Sequence, residues 1–77
     1  MQLHAGNLTA HGYSGVARLS AAERKAALRR AAREHGWLHI VRKLNALYVL
    51  NKYKHPWLAS RFRVDRMYAS AQYAKLT

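Results

Sequence analysis

The chain is 77 residues long, which leaves room for one domain with a thin core, and it has no cysteine to staple that core. Fourteen Lys and Arg stand against three acids, a formal net charge of +11, and a compact state carrying that charge repels itself until something anionic neutralises it. Hydrophobic residues nevertheless make up 51% of the sequence, with two Trp, five Tyr and one Phe, so the composition argues against a disordered chain.

Residues 1–19 carry Gly6, Gly12 and Gly15 with Asn7, Thr9 and Ser14 between them, which is turn chemistry without a helical period. They are expected to form an extended N-terminal arm, docked through Leu3, Leu8 and Tyr13 onto a body made of residues 20–77. No charged run followed by an apolar block opens the chain, so a secretion signal is not expected. No apolar stretch reaches the roughly 20 residues of a bilayer span. The lack of cysteine fits an intracellular chain.

Ser20-Ala21-Ala22-Glu23 is a capping box, in which the Ser hydroxyl and the Glu carboxylate each satisfy the other residue's amide. It predicts a first helix from Ala21 to His35, stopped by Gly36. Ala27, Leu28, Ala31 and His35 share its apolar stripe, and Lys25, Arg29, Arg30 and Arg33 spread over the opposite side. A second helix is predicted from Trp37 to about Tyr53, with Trp37, Ile40, Val41, Leu44, Leu47, Tyr48 and Leu50 at three- and four-residue spacing. Leu38 and Val49 widen that stripe, so this helix is expected to be covered on more than one side.

Pro56 suits the first position of a third helix, which is expected to run to about Lys75 in one piece or two. Leu58, Phe62, Val64, Met67, Tyr68 and Ala71 are assigned inward, with Arg61, Arg63, Arg66 and Lys75 outward. Asp65 would recap the chain if the helix bends near Val64. The fold class is therefore all-α, a compact three-helix bundle behind an extended arm. Leu28, Leu44, Leu47, Leu50 and Phe62 make its core.

Several stretches together resemble a known family. They are Gly6-Asn7-Leu8, Gly12-Tyr13, the segment from Glu23 to Leu28, Arg42-Lys43-Leu44-Asn45-Ala46-Leu47, His55-Pro56 and Phe62-Arg63-Val64-Asp65-Arg66. The pattern is similar to that of small uncharacterised basic proteins of nucleocytoplasmic large DNA viruses. The chain departs from it in its two tryptophans and its heavier arginine content. The resemblance implies a virus-encoded protein, found in the particle or in the nucleus or cytoplasm of an infected cell. It implies no established activity.

Catalysis finds little support. Glu23, Glu34 and Asp65 are scattered, Glu34 and His35 are neighbours in sequence but are expected to point to different faces of their helix, and the glycines follow no strand and lack a phosphate-loop lysine. No catalytic residue, metal or cofactor is assigned. His35 and His39 have helical i, i+4 spacing, but Gly36 interrupts them and no third ligand is at hand. Trp57 and Tyr73 are the aromatics expected on the surface; the others are assigned to packing.

What remains is the charge. Arg24, Lys25, Arg29, Arg30, Arg33, Arg42, Lys43 and Lys52 are the candidate phosphate contacts, since cations with few acids to pair with supply sequence-independent affinity for nucleic acid. The third helix shows no exposed set of Asn, Gln and Arg, so strong base readout is not expected. The expected partner is nucleic acid, DNA ahead of RNA, and no small-molecule substrate is foreseen. The alternative is a small structural component of a virus particle or large assembly, or a homo-oligomer, whose basic faces meet acidic protein surfaces.

Overall fold

A computed structural model describes residues 12, 13 and 15–76 of the chain. Three helices follow one another: α1 (Ala21–His35), α2 (Trp37–Asn51) and α3 (Pro56–Lys75), with no strand among the described residues. The all-α three-helix fold is as the sequence predicts. Residues 1–11 of the expected arm, Leu3 and Leu8 included, lie outside the described residues.

The predicted capping box opens α1. Ser20 Oγ accepts from the Glu23 amide at 3.1 Å, and the Ser20 amide donates to the Glu23 carboxylate at 2.8 Å. Hydrogen bonding of the carboxylate to Ser20, through its backbone amide foremost and then its side chain, holds the Glu23 carboxyl below its usual range. Gly36 ends α1 with φ 84° and ψ 150°, a backbone region open essentially to glycine alone. Its amide donates to the Ala32 carbonyl at 2.8 Å, and the chain turns into α2 within that one residue. α2 stops at Asn51, short of Tyr53. Pro56 stands in the first turn of α3, which runs unbroken to Lys75, so Asp65 recaps nothing.

α2 and α3 form the principal hairpin, and α1 packs less extensively against both. Leu28, Ile40 and Leu44 are fully buried between them, with Ala27, Ala31, Ala59 and Ala69 letting the backbones approach. The radius of gyration, 11.5 Å, is about what a compact chain of this length gives. Four of the residues assigned inward from sequence are instead exposed: Leu50, Val64, Met67 and Ala71. Leu38 and Val49 are exposed as well, so α2 is covered on one side only. Leu50 lies beside the Ile40–Leu44 line rather than on it. On α3 the cause is Asp65, which is 1% exposed. The face that turns inward is Phe62, Asp65 and Ala69, at helical spacing, and this rotates Val64 and Met67 to solvent.

Asp65 is buried because three segments converge on it. Arg24 Nε, from α1, donates to its Oδ2 at 2.8 Å, and the Tyr13 hydroxyl donates to the same oxygen at 2.6 Å. Arg24 Nη1 also donates to the Leu19 carbonyl at 3.0 Å, pinning the turn that leads into α1. Tyr13 is buried against Phe62, with ring centroids 6.4 Å apart, so it docks as the sequence suggests, with Val16 beside it in the core. Gly12 precedes it at φ 92°, and a Cβ there would come within 2.7 Å of Arg30 Nη2. No buried side-chain polar atom among the described residues lacks a partner.

Two consequences are measurable. Removing one member of a buried ion pair strands the other charge and costs about 3–5 kcal/mol, against a total stability of about 4–12 kcal/mol for a domain of this size. Asp65→Ala should therefore remove a large share of the stability and lower the urea midpoint accordingly, followed by circular dichroism, whereas Leu50→Ala should shift that midpoint little. The second concerns pH. Burial first, then the hydrogen bond and the charge of Asp65, raise the Tyr13 hydroxyl far above the phenol range, with Arg24 opposing. The folded state thus keeps a proton that the unfolded state loses above about pH 10. The stability this represents is complete below that pH and is lost as pH rises toward the folded-state value. Unfolding free energy should fall by up to about 1.4 kcal/mol per pH unit there, and Tyr13→Phe should remove that part of the slope.

Candidate nucleic-acid interface

The eight candidate cations fall into six environments. Arg24 requires a correction: it is 4% exposed and neutralised by Asp65, so it is a core residue and is closed to phosphate. Its position on α1 lies among Ala27, Leu28 and Ala31, which the structure turns inward, and only a buried acid makes that burial tolerable.

Lys25, Arg29 and Arg33 follow one another at four-residue intervals along one exposed edge of α1, about 6 Å apart along the axis. That edge borders α3. Lys25 Nζ lies 5.2 Å from the Tyr68 ring centroid, and Arg29 Nη1 donates to the Tyr68 hydroxyl at 3.2 Å. Trp37 meets the same ring edge-on at 5.7 Å. Arg29, Arg33, Trp37 and Gln72 enclose a shallow cleft of about 280 Å³ between α1 and α3. Arg30 points elsewhere, toward Gly12, so the three arginines Arg29, Arg30 and Arg33 do not share one surface.

Arg42 lies on the far flank of the hairpin, in a larger open groove of about 600 Å³ between α2 and α3. Its other walls are Val41, Asn45, Arg66, Met67 and Ser70. Arg66 Nη1 donates to Asn45 Oδ1 at 2.7 Å, and its guanidinium lies 5.7 Å from the Tyr48 ring centroid. Lys43 is half-buried near His39. Lys52, at the end of α2, lies over the Tyr53 ring at 5.0 Å.

The electrostatics are one-sided. Asp65 is committed to Arg24, and Glu23 accepts from the Ser20 amide, which leaves Glu34, whose long side chain reaches round the helix end to within 3.8 Å of His35, where the sequence expects the two on different faces. No carboxylate lines either cleft. Partial desolvation, then the neighbouring Lys43, His35 and Arg42 side chains, push the His39 imidazole below its ordinary range. The His35 and His39 ring centroids lie 5.3 Å apart, with the rings tilted by 34°, despite Gly36 between them. No group of three or more His, Cys, Asp or Glu among the described residues is arranged to hold a metal ion. No helix among them is long and apolar enough to cross a membrane.

Asn45, Ser70 and Gln72 were not among the sequence candidates. Spacing alone does not mark them, because each earns its place by lying beside a neighbouring helix. The signal that would have found them is the inward orientation of Asp65: once it faces the core, Arg66 and Ser70 fall on one flank of α3 and Tyr68 and Gln72 on the other.

Fold and site together define a small all-helical protein with basic clefts between its helices. The chain belongs to a family of unknown function (DUF5771), whose profile matches residues 6–74. Neither the curated proteins nor the solved structures contain a match to it.

Proposed function

We propose that this protein is a non-enzymatic nucleic-acid binder of viral origin that grips the phosphate backbone with little sequence preference, in DNA condensation or packaging. The observation that carries this reading is the pair Arg29 and Arg33 lining a cleft with Trp37 and no carboxylate, with Lys25 one turn earlier on the same helix edge over Tyr68. Tyr68 and Trp37 brace the helix edge that presents these cations, so less side-chain entropy is lost when phosphate binds. That Asp65 and Glu23 are both taken up in holding the fold together supports a non-enzymatic role. Viral origin rests on the sequence resemblance.

A second reading has its own support. Val49, Leu50, Tyr53 and Trp57, around the α2–α3 turn, are all well exposed, Tyr53 at 85%. Exposed aromatics of this kind suit a protein interface, as in a small structural component of a virus particle or large assembly.

Duplex binding across a salt series separates the two. The nucleic-acid reading expects log Kd to depend linearly on log salt, and Lys25, Arg29 and Arg33 all changed to Gln should flatten that slope by up to about 2.7, at about 0.9 per phosphate. The loss should be alike for all sequences. A slope indifferent to these three residues, or a loss at one sequence only, contradicts it.

A further inference from the structure

The two clefts lie on opposite flanks of the same helix. Tyr68 and Gln72 face the α1 side, while Arg66 and Ser70 face the α2 side, about 160° further round α3 at 3.6 residues per turn. Each flank carries a pair of guanidinium groups, Arg29 with Arg33 and Arg42 with Arg66. Between them runs the outer ridge of α3, where Ser60, Arg63, Val64, Met67, Ala71 and Ala74 are exposed. That ridge holds no carboxylate, and its side chains are mostly short.

A helix with its side chains is about 10–12 Å across, and the major groove of B-form DNA is about 12 Å wide and 8.5 Å deep. We propose, on the reading that the chain binds nucleic acid, that α3 lies ridge-first in the major groove of one duplex. The Arg29–Arg33 pair then meets the phosphates of one strand, and the Arg42–Arg66 pair meets those of the other. Arg66 is already positioned for this by Asn45 and Tyr48, and the apolar wall of Val41 and Met67 suits the sugar edge of a backbone. Val64, Met67 and Ala71 offer base edges no hydrogen bonds, only methyl contact, so duplex shape is read more than sequence. A-form RNA has a major groove too narrow for a helix and would be disfavoured.

The test uses the full chain, a DNA duplex of about 20 base pairs, the RNA duplex of the same sequence and the corresponding single strand, over a salt series. Circular dichroism confirms that each variant is folded. Val64→Glu with Ala71→Glu places acid on the ridge, at positions that line neither cleft; Val49→Glu with Leu50→Glu places the same charge on exposed positions of α2. Arg29→Gln with Arg33→Gln, and Arg42→Gln with Arg66→Gln, remove one flank each. Expected are at least about tenfold preference for the DNA duplex and a salt slope flattened by about 1.8 for either flank pair. The ridge pair should lose at least about ten times more affinity than the α2 pair, since only the ridge would be buried against the bases. Equal affinity for the two duplexes, a ridge pair that costs no more than the α2 pair, or one protein molecule joining two duplexes overturns the groove placement while leaving phosphate binding intact. Absence of binding to all three nucleic acids instead defeats the functional reading on which the placement rests.

Discussion

The buried carboxylate of Asp65 is the constraint on which this structure turns. It sits on α3, yet it draws Arg24 from α1 and the hydroxyl of Tyr13 to one oxygen, at 2.8 and 2.6 Å. A buried charge is tolerable only when paired and hydrogen-bonded, so these three segments must meet in one register. An apolar pair at the same place would hold the helices as firmly but would accept small rotations of α3. The ion pair does not, because a modest rotation of α3 separates the donors from their acceptor. With the register fixed, Phe62 and Ala69 face the core, and the two flanks of α3 become the walls of the two clefts.

This clasp also divides the charge. One cation is taken inside and neutralised, and the remaining excess is left on the surface of a thin core. Self-repulsion among those groups weakens the folded state, and a polyanion that binds only the folded chain restores stability by mass action. On the nucleic-acid reading, binding and folding are therefore linked, and the clasp is the part of the fold that must hold before a partner arrives. Small residues help it. Ala27, Ala31, Ala59 and Ala69 allow close approach, so a chain with few large buried side chains still packs.

Much of this was legible in the sequence. α1 could be bounded at both ends, because the capping box and Gly36 are local signals that tertiary packing does not override. α3 was different. Its start at Pro56 was clear, but its apolar residues are spread around the whole circumference, so periodicity selects no face. Ranking residues by hydrophobicity then placed Val64, Met67 and Ala71 inward and left Asp65 at a bend, whereas a carboxylate with an arginine and a phenol to bind outranks an unpaired apolar side chain for the interior. Arg24 was misassigned for the same reason, since nothing within α1 announces a partner 41 positions away. Lys25, Arg29 and Arg33 were correctly placed on an exposed surface because their own helix decides that. Arg66 and Asn45 meet only across the α2–α3 hairpin, 21 positions apart, and no pattern within one helix foretells it.

The central claim is that Asp65 sets α3 so that its two flanks, and not its neutralised core arginine, meet phosphate. Titration of isotope-labelled protein with a short DNA duplex, followed by amide and side-chain NMR shifts, tests it directly. The account predicts perturbation of the Lys25, Arg29, Arg33 and Trp37 signals on one flank and of Arg42, Arg66 and Ser70 on the other, with the Arg24 Nε–H signal unmoved. Shifts gathered at Tyr53 and Trp57 while both flanks stay silent, or a displaced Arg24 signal, would contradict it.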